Sequence, residues 1–196
     1  MGLKSLIKQG KTMLIHPLVS LKLIFSGSKN FSIGSGMMIN KRKYLRIGNN
    51  THIGRDSRFL FVKSYGGQSY NPSVEIGSNV SIGNRFSALS AAKIVIEDNA
   101  LIASDVLITS ENHGMDPEIT DSYATTPLDA REVHIGKGCW LGEKVSIMPG
   151  VTLGERTIVA ANAVVTKSFP DHCIIGGIPA KIIKKYDFEG HRWVGV

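Results

Sequence analysis

The chain has 196 residues, of which 42% are hydrophobic and 20% charged, so it is long enough for one domain with a substantial core. Its net charge of +7 favours an anionic partner. No RNA-binding or helix-turn-helix signature is present, which argues against a nucleic acid and favours a phosphorylated small molecule. Two cysteines are too few for a disulfide framework, and the first apolar stretch is too interrupted for a secretory signal or a spanning helix, so we expect a cytoplasmic protein.

Residues 1–30 predict a short helical segment. From Leu3 to about Ile15, apolar residues keep near-helical spacing with lysines between them, and Pro17 then restarts the pattern for a second short helix. In one interpretation this segment packs on the following domain and caps its open end, which repeat folds require. In the other, it is a basic amphipathic segment that makes peripheral contact with the inner face of an anionic membrane.

The middle of the chain, residues 31–170, contains short repeats that begin near Ile33-Gly34. The repeat breaks at residues 59–73, which we predict to be a loop, and two extra residues fall between positions 87 and 93. A longer interruption, residues 110–131, has no six-residue period and predicts an excursion from the repeat. Long loops in compact folds usually carry function.

The most regular repeat lies between Val133 and Thr166 and has a period of six. An α-helix does not fit this period, because its apolar positions would drift around the surface, whereas a short strand followed by a corner does. A glycine follows most of the aliphatic residues, where a corner asks for a small residue or a positive φ. Such strands must stack to share a core, which predicts a β-solenoid. The positions predicted to point inward are Val133, Ile135, Cys139, Leu141, Val145, Ile147, Val151, Leu153, Thr157, Val159, Ala163 and Val165.

His113 is the candidate for proton transfer, because it opens the long excursion, where a side chain can face a cleft. His52 and His134 each precede an inward aliphatic residue, so the pleat directs them to solvent. His172 and His191 have no carboxylate or cysteine at a metal-ligand spacing, and we expect no metal site.

The repeats stop after Thr166, and residues 171–196 are predicted to form a C-terminal tail. A Gly-Gly-Ile-Pro turn at residues 176–179 leads into a basic stretch that includes Lys181 and Lys184. Clustered ammonium groups suit the binding of phosphates. The alternative is that these lysines only solubilise the end of the domain.

The segment Ile135-Gly136-Lys137-Gly138-Cys139-Trp140-Leu141-Gly142, preceded by Asn112-His113-Gly114 and a loop, resembles the hexapeptide-repeat acyltransferases. The likeness is to maltose and galactoside O-acetyltransferases and to their relatives in capsule and lipopolysaccharide synthesis, and it covers roughly residues 74–185. It implies an all-β fold, a left-handed parallel β-helix with the helical segment, the excursion loop and the basic tail attached. It also implies a homotrimer with active sites between subunits.

The resemblance further implies an acetyl-CoA-dependent O-acetyltransferase that acts on a saccharide hydroxyl in surface polysaccharide biosynthesis. His113 would be the general base of a direct transfer, and the sequence leaves open whether Ser110, Glu111 or Asn112 orients its ring. The residues that would bind acetyl-CoA are Trp140, Gly142, Ala160, Ala161, Thr166, Lys167, Lys181 and Lys184.

The acceptor is less well defined by the resemblance. Ser87, Ser90 and Asn112 are the candidate acceptor-binding residues, but Ala91 stands where the maltose and galactoside enzymes carry an acceptor-contacting asparagine. Three other functions stay open. The chain could be a streptogramin-type antibiotic acetyltransferase, an amino-sugar N-acetyltransferase or a catalytically inactive trimeric scaffold. A zinc enzyme of the gamma carbonic anhydrase type is set aside, because His113 has no partner histidines at suitable spacing.

Overall fold

A computed structural model describes residues 3–25, 27–118 and 122–196. These residues form the helices α1 (Leu3–Ile15) and α2 (Pro17–Phe25), with 3-10 turns at Arg42–Tyr44 and Tyr123–Thr125. Their strands are, in chain order, β1 (Ser32–Ile33), β2 (Met38–Ile39), β3 (Leu45–Ile47), β4 (His52–Ile53), β5 (Arg58–Phe61), β6 (Ser64–Tyr65), β7 (Gln68–Ser69), β8 (Ser73–Ile76), β9 (Ser81–Ile82), β10 (Ser87–Ser90), β11 (Lys93–Ile96), β12 (Leu101–Ile102), β13 (Leu107–Thr109), β14 (Glu111–His113), β15 (Leu128–Ala130), β16 (Val133–Ile135), β17 (Trp140–Leu141), β18 (Ser146–Ile147), β19 (Thr152–Leu153), β20 (Ile158–Val159), β21 (Val164–Val165), β22 (Cys173–Gly177), β23 (Ala180–Asp187) and β24 (Arg192–Gly195).

Three long sheets of mainly parallel strands form the walls of a prism. Sheet A has the order β1-β4-β9-β12-β17-β20-β22-β23-β24, sheet B the order β2-β5-β10-β13-β18-β21, and sheet C the order β3-β8-β11-β16-β19. A full turn of the chain passes through C, A and B in that order, which defines a CA corner, an AB corner and a BC corner. The predicted solenoid of stacked short strands is therefore confirmed.

The six-residue pattern encodes the core as predicted. All twelve positions expected to point inward between Val133 and Val165 are buried, with at most 1% of each residue exposed. Register follows the repeat, because Ile135 pairs with Ile96 of the preceding coil and with Leu153 of the following one. Cys139 behaves as a small apolar residue, and burial raises the pKa of its thiol to about 12.

Glycines that follow the inward aliphatic residues allow successive coils to approach closely. A Cβ on Gly54 would lie 2.4 Å from the carbonyl oxygen of Gly83, and a Cβ on Gly48 would lie 2.6 Å from the carbonyl carbon of Gly77. The left-handed conformation falls two residues after the glycine, for example at Asn50 with a φ of 55°. Close packing between coils, rather than positive φ, is the reason for glycine at these positions.

Asparagines form a ladder along the CA corner. Asn30, Asn50, Asn79 and Asn99 all have φ between 55° and 62°, a region that asparagine enters more readily than most residues. The Nδ2 atom of each residue donates to the Oδ1 atom of the next, at 3.1 to 3.2 Å. The ladder ends at Asn99, at a corner where Glu97 rather than glycine follows the inward residue Ile96.

The two N-terminal helices lie over the first coil. Val19 and Leu23 of α2 are buried within the main core, and the Oγ1 atom of Thr12 in α1 accepts a hydrogen bond from the backbone N–H of Ile33 at 3.0 Å. His16 contacts the carbonyl oxygen of Gly34 through its Nε2 atom at 2.8 Å. Among the described residues, no helix combines the length and the apolar character needed to span a bilayer.

The C-terminal segment continues sheet A rather than leaving it as an irregular tail. Strand β22 pairs in parallel with β20, and β23 and β24 then add in antiparallel orientation. The predicted basic stretch, which includes Lys181 and Lys184, is part of β23. The six-residue rule does not detect these strands, because antiparallel neighbours at a sheet edge have no period of six.

We predict that Leu141→Ala lowers the free energy of unfolding by roughly 2–5 kcal/mol, because Leu141 is fully buried and its removal leaves a cavity between coils. Leu101 on the neighbouring strand provides the matched control, since it is 48% exposed. Leu101→Ala is expected to change the free energy of unfolding by no more than about 0.5 kcal/mol. Urea denaturation followed by circular dichroism measures both, and equal losses would contradict the assignment of the inward face.

Candidate functional site

His113 lies on an antiparallel hairpin that leaves the BC corner. Strand β14 pairs with β15, with His113 opposite Leu128, and the imidazole is exposed. The base of the hairpin is fixed by Ser110, which is fully buried. Its Oγ atom accepts from the backbone N–H groups of Ala91 at 3.2 Å and Ala92 at 3.1 Å, so Ser110 anchors the excursion and is not the residue that orients His113.

A second excursion from the same corner packs against the first. Residues 62–72 carry the hairpin of β6 and β7, and the ring of Tyr65 meets the ring of His113 edge-on at a centroid distance of 5.3 Å. The hydroxyl of Tyr65 donates to the carbonyl oxygen of Ala124, while the hydroxyl of Tyr70 accepts from the backbone N–H of Leu128 at 2.6 Å. We call the two excursions, 62–72 and 110–131, the arm.

The excursion at residues 62–72 was only partly predicted from the sequence. The predicted loop, residues 59–73, is too long at its start, because Phe59 and Phe61 lie on β5 and are buried in the core. The contact between Tyr65 and His113 was missed altogether. One feature of the sequence could have indicated this contact. Both interruptions of the repeat follow a strand of the same sheet, so both excursions leave from the same corner.

Glu111 lies two residues before His113 on the same strand, so both side chains are on the same side of β14. Burial raises the pKa of the Glu111 carboxyl above its ordinary value, and the charge of His113 opposes this by lowering it. The Oε2 atom of Glu111 is buried without a hydrogen-bond partner. A buried acceptor of this kind beside an imidazole is suited to stabilise the protonated ring.

We predict that Glu111→Gln raises the melting temperature at neutral pH. The pKa of Glu111 is higher in the folded than in the unfolded chain, so its contribution to stability is present at low pH and is lost as the pH rises through the folded pKa. The advantage of glutamine should therefore be small near pH 4 and should grow above it. Thermal unfolding at about pH 4 to 8 measures the difference, and a constant offset across that range would contradict the prediction.

The AB corner brings together three of the predicted cofactor residues. The backbone N–H of Gly142 donates to the carbonyl oxygen of Val159 at 2.9 Å, and a Cβ on Gly142 would lie 2.7 Å from the backbone nitrogen of Ala161. Ala160 is half-buried and Ala161 is exposed on the next coil. Small residues thus lie on successive coils at this corner, and we refer to this run of small residues as the groove.

The predicted basic residues are distributed over two places. Lys181 lies near the start of β23 and pairs with Gly176 of β22, the strand next to the coil that contains Ala160. Lys184 lies further along β23 and pairs with Ile174. Thr166 and Lys167 instead lie after β21 at the BC corner, where the Nζ atom of Lys167 is 5.8 Å from the centroid of the Phe169 ring. All four side chains are exposed.

Trp140 faces a cleft whose described lining includes no other predicted site residue. It lies on the outer face of sheet A, is 48% exposed, and lines a cleft of about 510 Å³ with aromatic residues of the C-terminal strands such as Tyr186 and Trp193. Arg156 and His172 close this cleft from the CA corner. His113 does not line it, so Trp140 and His113 do not share a cavity within one chain.

The predicted acceptor residues occupy three different environments. Ser90 is fully buried and its Oγ atom donates to the carbonyl oxygen of Ala92 at 2.8 Å, so the prediction that Ser90 binds an acceptor is corrected: the strand pleat turns it inward. Ser87 is half-buried on the outer face of sheet B. Asn112 is half-buried in the arm, opposite Asp129. Ala91 is buried, so it presents no group to a ligand.

Within residues 3–25, 27–118 and 122–196, no group of three His, Cys, Asp or Glu side chains converges on a point that could hold a metal ion. His134, which was predicted to face solvent, is half-exposed and pairs its Nε2 atom with the Oε1 atom of Glu97 at 2.8 Å.

Residues 132–167 match the family model described as "Bacterial transferase hexapeptide (six repeats)". These residues therefore contain six hexapeptide repeats of the type that this family model describes. The matched residues are the regular coils in which every predicted inward position is buried. The fold predicted from the resemblance, a left-handed β-helix, agrees with this match and with the three parallel sheets.

Curated relatives match about three fifths of this chain. The putative lipopolysaccharide biosynthesis O-acetyl transferase WbbJ of Escherichia coli K12 is 39% identical over 123 residues, which are 59% of this chain and 62% of that protein. The galactoside O-acetyltransferase of the same organism is 28% identical over 117 residues, covering 60% of this chain and 56% of that one. The chain therefore matches only about three fifths of the length of these relatives.

Solved structures of hexapeptide-repeat proteins are similar over most of the chain. AntD, an N-acyltransferase from Bacillus cereus in complex with dTDP and 3-hydroxybutyryl-CoA, has 25% identity and a TM-score of 0.67, and the match covers 83% of this chain and 83% of that one. The acetyltransferase VCA0836 from Vibrio cholerae, complexed with acetyl coenzyme A, has 22% identity and a TM-score of 0.58 and covers 94% of this chain and 88% of its own. The second similarity supports the fold alone.

Proposed function

We propose that this protein is an acetyl-CoA-dependent O-acetyltransferase that modifies a saccharide hydroxyl during the synthesis of a surface polysaccharide. The observation that carries the proposal is the exposed imidazole of His113 on the arm, with the ring of Tyr65 against it and the Glu111 carboxylate on the same side of the strand. The similarity to WbbJ supports a saccharide acceptor.

The proposed reaction is a direct transfer. The acceptor oxygen attacks the carbonyl carbon of the thioester while its proton passes to the unprotonated ring nitrogen of His113. The carbon–sulfur bond then breaks, and the imidazolium returns the proton to the departing thiolate. Glu111, whose Oε2 atom is buried, stabilises the positive charge that His113 carries in between, as a carboxylate beside a general base does. No covalent bond to the protein forms at any step.

The AB corner is the proposed site of the cofactor. Backbone groups beside Gly142, Ala160 and Ala161 suit the amide-rich pantetheine arm, because the small side chains leave those groups accessible. The exposed ammonium groups of Lys181 and Lys184 suit the phosphates, with Lys167 and Thr166 as further candidates from the BC corner. Trp140 has a weaker case, because it faces the separate cleft on sheet A.

Two copies of the chain are needed to assemble this site. Strand β13 separates the AB corner from the BC corner that bears His113, and its three residues span about 10 Å at roughly 3.3 Å per residue. A thioester in the groove of one chain therefore lies far from the imidazole of the same chain. We propose that the arm of one protomer reaches the AB corner of its partner in a cyclic homotrimer, an arrangement that closes on itself.

The test of the proposed function is thiol release from acetyl-CoA with a panel of sugars, sugar nucleotides and lipid-linked sugars. A true acceptor should increase thiol release and yield a product that is cleaved by hydroxylamine, as an ester is. Acetyl-CoA alone should also stabilise the fold, by roughly 2.7 kcal/mol at a hundredfold excess over its dissociation constant. A protein that is not stabilised would instead be an inactive scaffold.

An amino sugar is the second candidate acceptor. The similarity to the N-acyltransferase AntD, at 25% identity and a TM-score of 0.67, favours it. The same base would take a proton from the attacking nitrogen, and the product would be an amide. Resistance of the product to hydroxylamine would identify this reaction and exclude the ester.

A further inference from the structure

Charge is distributed very unevenly along the chain. Residues 1–55 contain ten lysines and arginines and no aspartate or glutamate, whereas residues 56–196 contain thirteen basic and sixteen acidic residues. The net positive charge of the protein therefore arises from its first quarter, which comprises the two helices and the first coils of the solenoid. Such an asymmetry points to an anionic partner at this end of the molecule.

Both helices expose large apolar side chains. In α1, Ile7 is 52% exposed and Leu14, seven residues later, is 84% exposed. In α2, Leu18, Leu21 and Phe25 follow helical spacing and are 58%, 45% and 88% exposed. Large apolar side chains at positions i, i+3 and i+7 form one stripe, and a contiguous exposed stripe of this kind marks an interaction surface.

The opposite side of α2 packs against the core of the solenoid. Val19 and Leu23 are buried in the main core, so α2 is apolar on both of its faces. Its lysine, Lys22, turns inward, where the Nζ atom donates to the carbonyl oxygen of Arg42 at 2.6 Å and to that of Leu45. No charged side chain of α2 is therefore left to solvate its outer stripe.

Basic side chains border the apolar stripe. Lys41, Arg42 and Lys43 are exposed on the turn that Lys22 holds against α2, and Arg42 lines the same shallow pocket as Leu18. Lys11 is exposed on α1 beside the apolar positions. An apolar stripe edged by lysine and arginine matches the interface of a bilayer with negatively charged headgroups.

We propose that the outer face of α1 and α2, together with the basic turn 41–43, binds the surface of an anionic lipid bilayer. Leu14, Leu18, Leu21 and Phe25 enter the boundary between headgroups and acyl chains, and the basic side chains contact the lipid phosphates. At about 1.5 Å per residue, the thirteen residues of α1 span about 20 Å. The helix is therefore too short to cross the hydrocarbon core of about 30 Å, and in this proposal it lies in the plane of the interface. This inference does not depend on His113.

The proposal is tested by flotation of the full chain with vesicles of phosphatidylcholine alone or of phosphatidylcholine mixed with phosphatidylglycerol. The wild type should float with the mixed vesicles and not with phosphatidylcholine alone, and 1 M salt should release it, because the Debye length falls to about 3 Å. The double variant Leu14→Glu/Phe25→Glu should lower the bound fraction by roughly tenfold or more, since each change places a charge in the interface. Both side chains are exposed, so the fold should persist.

Val196→Glu is the matched control, because Val196 is 79% exposed at the other end of the chain. It should bind vesicles as the wild type does. Lys41→Glu/Lys43→Glu should remove the preference for phosphatidylglycerol. The proposal is overturned if the wild type fails to float, or if the Leu14/Phe25 variant floats equally well. It is also overturned if sedimentation shows that this variant dissociates an oligomer, since a second copy would then cover the stripe.

Discussion

His113→Ala is expected to lower kcat/KM for acetyl transfer by on the order of 100- to 10,000-fold, because loss of a general base removes that much of the rate. The imidazole is exposed at the end of β14, and its ring contact is with Tyr65, so its removal should leave the melting temperature nearly unchanged. Steady-state thiol release at saturating acetyl-CoA measures the effect.

The matched control for this experiment is His134→Ala. His134 lies on sheet C, away from the arm, and pairs with Glu97 at 2.8 Å. It should retain wild-type turnover. If the two alanine variants lose activity equally, or if His113→Ala turns over normally, His113 does not act as the base.

Mixing two inactive variants is expected to restore activity. His113→Ala lacks the base, and Ala161→Glu places a bulky carboxylate in the groove at the AB corner, where it obstructs the pantetheine arm of the cofactor. If base and groove come from different protomers, some interfaces in a mixed oligomer carry both intact elements. With equal amounts and random assembly, about a quarter of the wild-type activity should return.

Co-expression followed by thiol-release assays measures the restored activity, with each variant alone as the baseline. Thr152→Glu serves as the control for the added carboxylate, because Thr152 is exposed on sheet C rather than at the AB corner. It should be fully active by itself. No recovery in the mixture would show that both elements act within one chain.

Much of the fold follows directly from the sequence. A six-residue period specifies which side chains point inward, and register then follows, since a shift by one residue would expose Ile135 and its equivalents. The excursion at residues 110–131 was located by the loss of this period. The strands after Cys173 could not be found in this way, because they pair with one another in antiparallel orientation.

The site was harder to predict than the fold. The position of His113 at the start of an excursion was visible, but the packing of Tyr65 against it depends on contacts between segments about fifty residues apart. Identifying the residue beside the imidazole also requires knowing which side chains are buried, and the sequence does not give this information. Ser110 and Glu111 are neighbours, yet one anchors the corner and the other leaves a carboxylate oxygen unpaired.

In the part of the chain that the structure describes, the insertions into the solenoid leave from one edge, the BC corner. The hairpin at 62–72, the two extra residues at 91–92 and the excursion at 110–131 follow strands of sheet B, while the tight approach of glycines keeps the AB corner uniform in length. Residues can therefore be inserted or replaced at this edge without shifting the coils of the solenoid. In the proposed acetyltransferase, replacement of these loops alone would change the acceptor preference, while the donor site and the scaffold would be inherited unchanged.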